Sequence, residues 1–111
     1  MIELYSVCGE WKLINGIQYD FIFDVERGSS LSMINEDSIY NDLIRVVSED
    51  FGIDDNKNNV NLSYVSPSKL KFGTKELPPV FIRNDRQVTS YMNKLQENAC
   101  IHLCVTIKVT T

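Results

Sequence analysis

One stretch restricts the fold more than any other. From Ile101 to Val109, large apolar residues take every odd position (Ile101, Leu103, Val105, Ile107, Val109). His102, Cys104, Thr106 and Lys108 take the even ones. Successive side chains on a strand point to opposite faces, so unbroken alternation describes a strand with one face in a core. Its length and β-branched content place it centrally in a sheet.

The rest of the chain supplies partners for that strand. Ile2–Val7 reads as a first strand, and Trp11–Ile14 extends it beyond the Cys8-Gly9-Glu10 break. Asn15-Gly16 is a hairpin signal, because a type I′ turn needs positive φ at both central positions. A second strand follows over Ile17–Asp24, with Ile17, Tyr19, Phe21 and Phe23 alternating against a mostly polar face of Gln18, Asp20, Ile22 and Asp24. Arg27-Gly28-Ser29-Ser30 marks a turn, and the short apolar stretch 31–34 continues a strand. A helix is expected from about Ser38 to Phe51, with Ser38 as N-cap and Gly52 as the left-handed residue that ends it. Ile39, Leu43, Val47 and Phe51 recur every four residues along it.

Val60–Val65 is a further strand, Lys69–Phe72 a short hairpin arm, and Val80–Ile82 another strand after Pro78-Pro79. A second helix begins at Asn84 or Asp85, carrying Val88, Tyr91, Met92 and Leu95 at helical spacing. The order is strand-strand-helix-strand-strand-helix-strand. An α+β fold satisfies it: a mixed sheet with helices on one face and the first and last strands paired in parallel at its centre. That is the ubiquitin-like β-grasp arrangement. The close competitor is the ferredoxin-like fold, which places a helix between its first two strands; the opening hairpin argues against it.

At 111 residues the chain corresponds to a single domain, residues 1–111. No apolar run approaches the ~20 residues a bilayer-spanning helix needs. Three cysteines cannot all pair, which argues for a reducing compartment. The net charge of −4 hides an asymmetry. Residues 1–55 hold twelve acids and three bases, a net −9; residues 56–111 hold three acids and eight bases, a net +5. An acidic chain is a poor autonomous DNA binder, because that binding rests on phosphate neutralisation.

Few residues suggest chemistry. Cys100, His102 and Cys104 share one face of the last strand, with Cys8 expected on the neighbouring first strand. Cysteine and histidine ligate zinc, but structural zinc sites draw their cysteines from closely spaced knuckles at turns. Small buried apolar cysteines are the preferred reading. Cys104 and His102 have no third group to orient them as a nucleophile and base. Asp20, Asp24, Glu26, Glu36 and Asp37 lack the D-x-D-x-D-G spacing of a calcium loop and read as a solvated face. Lys69, Lys71, Lys75, Arg83, Arg86 and Lys94 form a basic counterpart, interleaved with Tyr64, Phe72 and Phe81. That composition suits a nucleic-acid surface, but given the net negative charge core aromatics and ordinary surface lysines are the preferred reading. No cofactor, metal or small-molecule substrate is expected. Trp11, beside a glycine break, is either core or an interface anchor.

Cys8-Gly9-Glu10-Trp11, Tyr40-x-x-Leu43, Leu62-Ser63-Tyr64, Pro78-Pro79-Val80-x-Ile82-x-Asn84-Asp85 and Leu103-Cys104-Val105, in that order, resemble the N-terminal domain of plant Mutator-like transposases. The resemblance implies a noncatalytic, nuclear accessory module at the N-terminus of a longer protein, with any DNA contact made through that parent protein. The chain is more distantly similar to the Phox-and-Bem-type interaction domain. That family's basic first strand and acidic later loop are missing here: Ile2–Val7 has no lysine, and Ser66, Pro67, Ser68 and Lys69 stand where acids would cluster.

These readings converge on a protein-interaction module. Its expected contacts are an acidic edge of Asp20, Asp24 and Glu26 and a basic edge of Lys69, Lys71, Arg83 and Arg86, giving a protein partner or weak self-association. The alternative is an auxiliary nucleic-acid-binding role for the basic C-terminal half.

Overall fold

The computed structural model describes residues 1–16, 18–54, 58–65, 71–72, 75–76, 78–98 and 101–109. Strand β1 (Ile2–Ile14) is long enough to serve two neighbours in succession. Its distal part, Gly9–Ile14, pairs antiparallel with β2 (Gln18–Phe23), and its proximal part, Ile2–Val7, with β3 (Ser29–Ile34). Asn15 and Gly16 adopt φ of 54° and 71°, both positive as the hairpin signal requires.

Between β2 and β3 the hairpin changes register. Gly9 lies opposite Phe23 while Val7 lies opposite Ser29, so the returning arm carries extra residues around 24–28. Cys8 spans the discontinuity. Its C=O accepts from Asp24 N–H at 2.8 Å, and its N–H donates to Gly28 C=O at 3.3 Å. Asp24 Oδ1 closes the extruded turn by accepting from the N–H groups of Glu26 (3.1 Å) and Arg27 (3.2 Å).

Helix α1 (Tyr40–Phe51) ends as its sequence requires, with Gly52 at φ 63° and Ile53 N–H bonded back to Ser48 C=O at 2.8 Å. Its start differs from expectation. Ile39, not Ser38, is the N-cap residue, and the Asp42 carboxylate accepts from Ile39 N–H at 3.0 Å. The Asp42 N–H turns back to Ile39 C=O at 3.0 Å, so this donor of the first turn is bonded without a hydroxyl cap. Helix α2 (Asp85–Glu97) begins as expected, with Asn84 accepting from Gln87 N–H at 2.9 Å. Asp85 also accepts from Tyr40 N–H at 2.9 Å, joining the two helix N-termini.

Strand β4 (Asn58–Tyr64) lies beside β8 (Leu103–Val109) and β7 (Val80–Ile82). A separate two-stranded ladder joins β5 (Lys71–Phe72) to β6 (Lys75–Glu76). The expected last strand begins two residues late, with Ile101 and His102 preceding β8. The main sheet runs β2-β1-β8-β4-β7, with β3 sharing β1's edge with β2. Among the described residues its one parallel pair is β1 with β8, Ser6–Cys8 against Leu103–Val105.

The fold is therefore α+β, a mixed, curled sheet with two helices in a β-grasp-like arrangement. Both helices cover one face. Leu43, Val47 and Phe51 of α1 and Val88, Tyr91, Met92 and Leu95 of α2 enclose Leu4, Cys8, Leu62, Tyr64, Leu103 and Val105. Tyr91 is fully buried there and donates its hydroxyl to Ile101 C=O at 3.2 Å.

Candidate functional site on the helix-free face

The face opposite the helices is closed at one end and open at the other. Across its middle run Val7, Cys104, Ser63 and Phe81, one from each of four neighbouring strands. Val7, Cys104 and Ser63 are buried although no helix covers them. Trp11 covers the row at Ser63. Beyond Gly9, β1 carries Trp11 over this row, where its indole Nε1 donates to Ser63 Oγ at 2.9 Å. Phe21 backs the indole at 5.0 Å between ring centroids. Gly9 permits the course of the strand, because a Cβ there would lie 2.1 Å from the Ile22 carbonyl oxygen. The aromatic thus anchors the protein's own hairpin to the sheet, half-buried.

At the other end the same face carries large apolar side chains in solvent. Leu31 is 62% exposed and Met33 54%, both on β3. Tyr5, opposite Leu31 in the ladder, adds a partly exposed ring set perpendicular to that of His102, with 6.2 Å between ring centroids. Phe23 (61%) and Val25 (92%) complete the set at the extruded turn. A shallow, mostly apolar hollow of about 210 Å³ lies among Tyr5, Val7, Phe23, Val25 and Ser29.

Parity explains this inversion. Leu4 and Ile34 face the helices, so Ser30 and Ser32 face them too, and Leu31 and Met33 must face away. The two serines are satisfied on the helix side, where both hydroxyls donate to the Asp50 carboxylate of α1, Ser30 at 2.7 Å.

The acidic residues expected at one edge occupy β2 and the extruded turn. Asp20 lies opposite Lys12 and accepts from Gln18 Nε2 at 3.0 Å. Asp24 is engaged by the turn and lies 3.8 Å from Arg27 Nε, while Glu26 is exposed. Arg27 also donates to Phe51 C=O at 2.8 Å, closing the C-terminus of α1. Of the basic residues, Arg83 and Arg86 are exposed beside β7, at the opposite end of the strand order from β2. The Arg83 guanidinium sits 4.9 Å from the Phe81 ring centre. Lys69 lies outside the described residues, and the Lys71 backbone forms part of β5.

The cysteine constellation is not assembled. Cys8 faces the helices and Cys104 the opposite side, because Cys104 is the ladder partner of Val7, not of Cys8. Cys100 lies outside the described residues, among which no cluster of three metal-ligating side chains occurs. Burial pushes the Cys104 thiol up to about 12 and raises that of Cys8, for which the nearby Arg27 charge only partly compensates. Both are poor nucleophiles at neutral pH. A second, more polar hollow of about 380 Å³ brings Cys8, Glu10, Asp24 and Arg27 together with Ile22 and Ile107.

Sequence reasoning did not single out Leu31, Met33, Tyr5 or Val25. The available signal was the alternation Ser30-Leu31-Ser32-Met33, which marks a strand but not which of its faces is covered. Among the described residues no helix is long and apolar enough to cross a membrane. No family model, curated protein or solved structure matches the chain.

Proposed function

We propose that this domain is a noncatalytic protein-interaction module, working as the N-terminal accessory domain of a Mutator-like transposase or a protein derived from one, in the nucleus. The observation that carries the interaction reading is the exposed apolar group of Tyr5, Phe23, Val25, Leu31 and Met33. These side chains gather at one end of one face, and contiguous apolar surface of that kind marks contact sites in soluble proteins. The transposase setting rests on the sequence motifs alone. The acidic and basic groups at opposite ends of the strand order support a secondary, salt-sensitive self-association, since exposed ion pairs contribute only ~0–1 kcal/mol each.

Site-specific photo-crosslinking in cells tests the reading. A photoreactive residue replacing Leu31 should trap a discrete protein adduct. The same residue replacing Asn93, on the exposed side of α2, should not. Equal trapping at both positions, or none at either, removes the proposal.

A further inference from the structure

The backbone of β3 narrows what that surface can hold. The bond from Cys8 N–H to Gly28 C=O extends the β1–β3 register one step past its last pair, Val7 with Ser29, and marks the phase of that ladder's hydrogen-bonded pairs. Such pairs recur at every second residue of an antiparallel ladder, so Ser30, Ser32 and Ile34 also direct their backbone groups toward β1. Ser29, Leu31 and Met33 therefore turn N–H and C=O away from it. Among the described residues β3 pairs with β1 alone. Sheet edges are normally guarded by charge, proline, a bulge or a covering element. Ser29–Ile34 contains neither a charge nor a proline.

Two further observations specify the occupant. On the helix-free side Leu31 and Met33 stand beside Tyr5 and the apolar hollow. On the helix side Ser30 and Ser32 lead to Asp50, with Glu49 exposed next to it. A strand laid along this edge would alternate in the same way. Resting on the interaction reading, we propose that the β3 edge accepts an extended segment of a partner, apolar at alternate positions and basic at those between. The apolar side chains cover Leu31, Met33 and the hollow, and the basic ones meet Asp50. A second copy of β3 meets the backbone requirement but not the charge requirement. Strands lie ~4.8 Å apart, so symmetric pairing would bring two Asp50 carboxylates close together.

The test uses two synthetic peptides of about ten residues, one alternating Val with Lys and one alternating Val with Glu, titrated to millimolar concentration. Backbone amide exchange read by NMR is the decisive measurement. With the Val–Lys peptide, the Leu31 and Met33 amides should exchange at least ~10-fold more slowly, while Ser30 and Ser32, already bonded to β1, should not change. The Val–Glu peptide should bind at least ~10-fold more weakly, and Asp50→Lys should reverse that preference. Leu31→Pro, which removes an outward N–H and no ladder bond, should abolish binding. Leu31→Lys serves the same purpose if the proline variant does not fold. Equal affinity for both peptides, binding without protection of Leu31 and Met33, or no binding at millimolar concentration would each overturn the proposal. So would protection of the same amides by raising protein concentration alone, which assigns the edge to a second copy. If crosslinking at position 31 still traps a partner while the peptides leave β3 unchanged, the interaction reading survives and the strand geometry does not.

Discussion

Trp11 and Ser63, 52 residues apart, are joined by a 2.9 Å hydrogen bond that fastens the first hairpin across the helix-free face. Ser63 is fully buried, and its hydroxyl in turn donates to Cys104 C=O at 3.5 Å. Trp11→Phe keeps an aromatic cover and removes the indole donor, so it should cost ~1 kcal/mol in urea unfolding. The double variant with Ser63→Ala should recover part of that loss, because no buried acceptor is then left waiting. Additive losses would show that the bond contributes nothing specific. Trp11 is the single tryptophan, so its fluorescence reports hairpin docking directly.

Two glycines separate steric from conformational cost. Gly9→Ala places a Cβ against the Ile22 carbonyl, a backbone atom that cannot rotate away. A loss of about 2–4 kcal/mol is expected. Gly16→Ala meets nothing within 4 Å but carries a φ of 71°, so ~1 kcal/mol is expected. Thermal denaturation of both variants should preserve that order.

Arg27→Ala should destabilise the domain by ~1 kcal/mol, through the unpaired Phe51 carbonyl at the C-terminus of α1. Lysine should not restore it fully, because one guanidinium reaches both Phe51 C=O and the Asp24 carboxylate. Hydrogen exchange in the last turn of α1 should accelerate in both variants.

Alkaline pH should weaken the fold in a defined window. Burial holds the Cys104 thiol up at about 12 against an ordinary 9.0, and raises Cys8 as well. Tyr91 is also raised, first by burial and then by its neighbours Cys104 and Tyr64. Each group keeps its proton in the folded chain when the unfolded chain has lost it. Stability is thus intact below about pH 9 and falls as pH rises toward 12, by at most ~1.4 kcal/mol per pH unit for each group. Urea midpoints should fall across that range, and less steeply in Cys104→Ala. At neutral pH, a thiol reagent should reach Cys8 and Cys104 only after urea is added.

Local signals carried much of the fold. The alternation of 101–109, the Asn15-Gly16 turn and the Asn84 cap each depend on a few adjacent residues, and each appears close to where the sequence puts it. What failed depends on contacts distant in sequence. Helix α1 starts after Ile39, where the Tyr40 N–H is taken by Asp85, 45 residues away. Cys8 and Cys104 parted because the β1–β8 register sets Cys104 beside Val7. Leu31 and Met33 were illegible as a surface for a similar reason. Nothing in Ser29–Ile34 says which face the helices will cover; Leu4 and Ile34 decide it through the pairing with β1.

The parallel pairing of Ser6–Cys8 with Leu103–Val105 also sets the order in which the chain can mature on a ribosome. The opening hairpin and α1 can form early from neighbouring residues, but the middle of the sheet stays incomplete until β8 has left the exit tunnel. Until then the inner edge of β1 is an unsaturated template for any nascent strand nearby. Topologies dominated by such distant contacts fold slowly and expose their intermediates to misassembly. Yield during synthesis should therefore depend on how quickly the C-terminal strand arrives, more than on the stability of the finished domain.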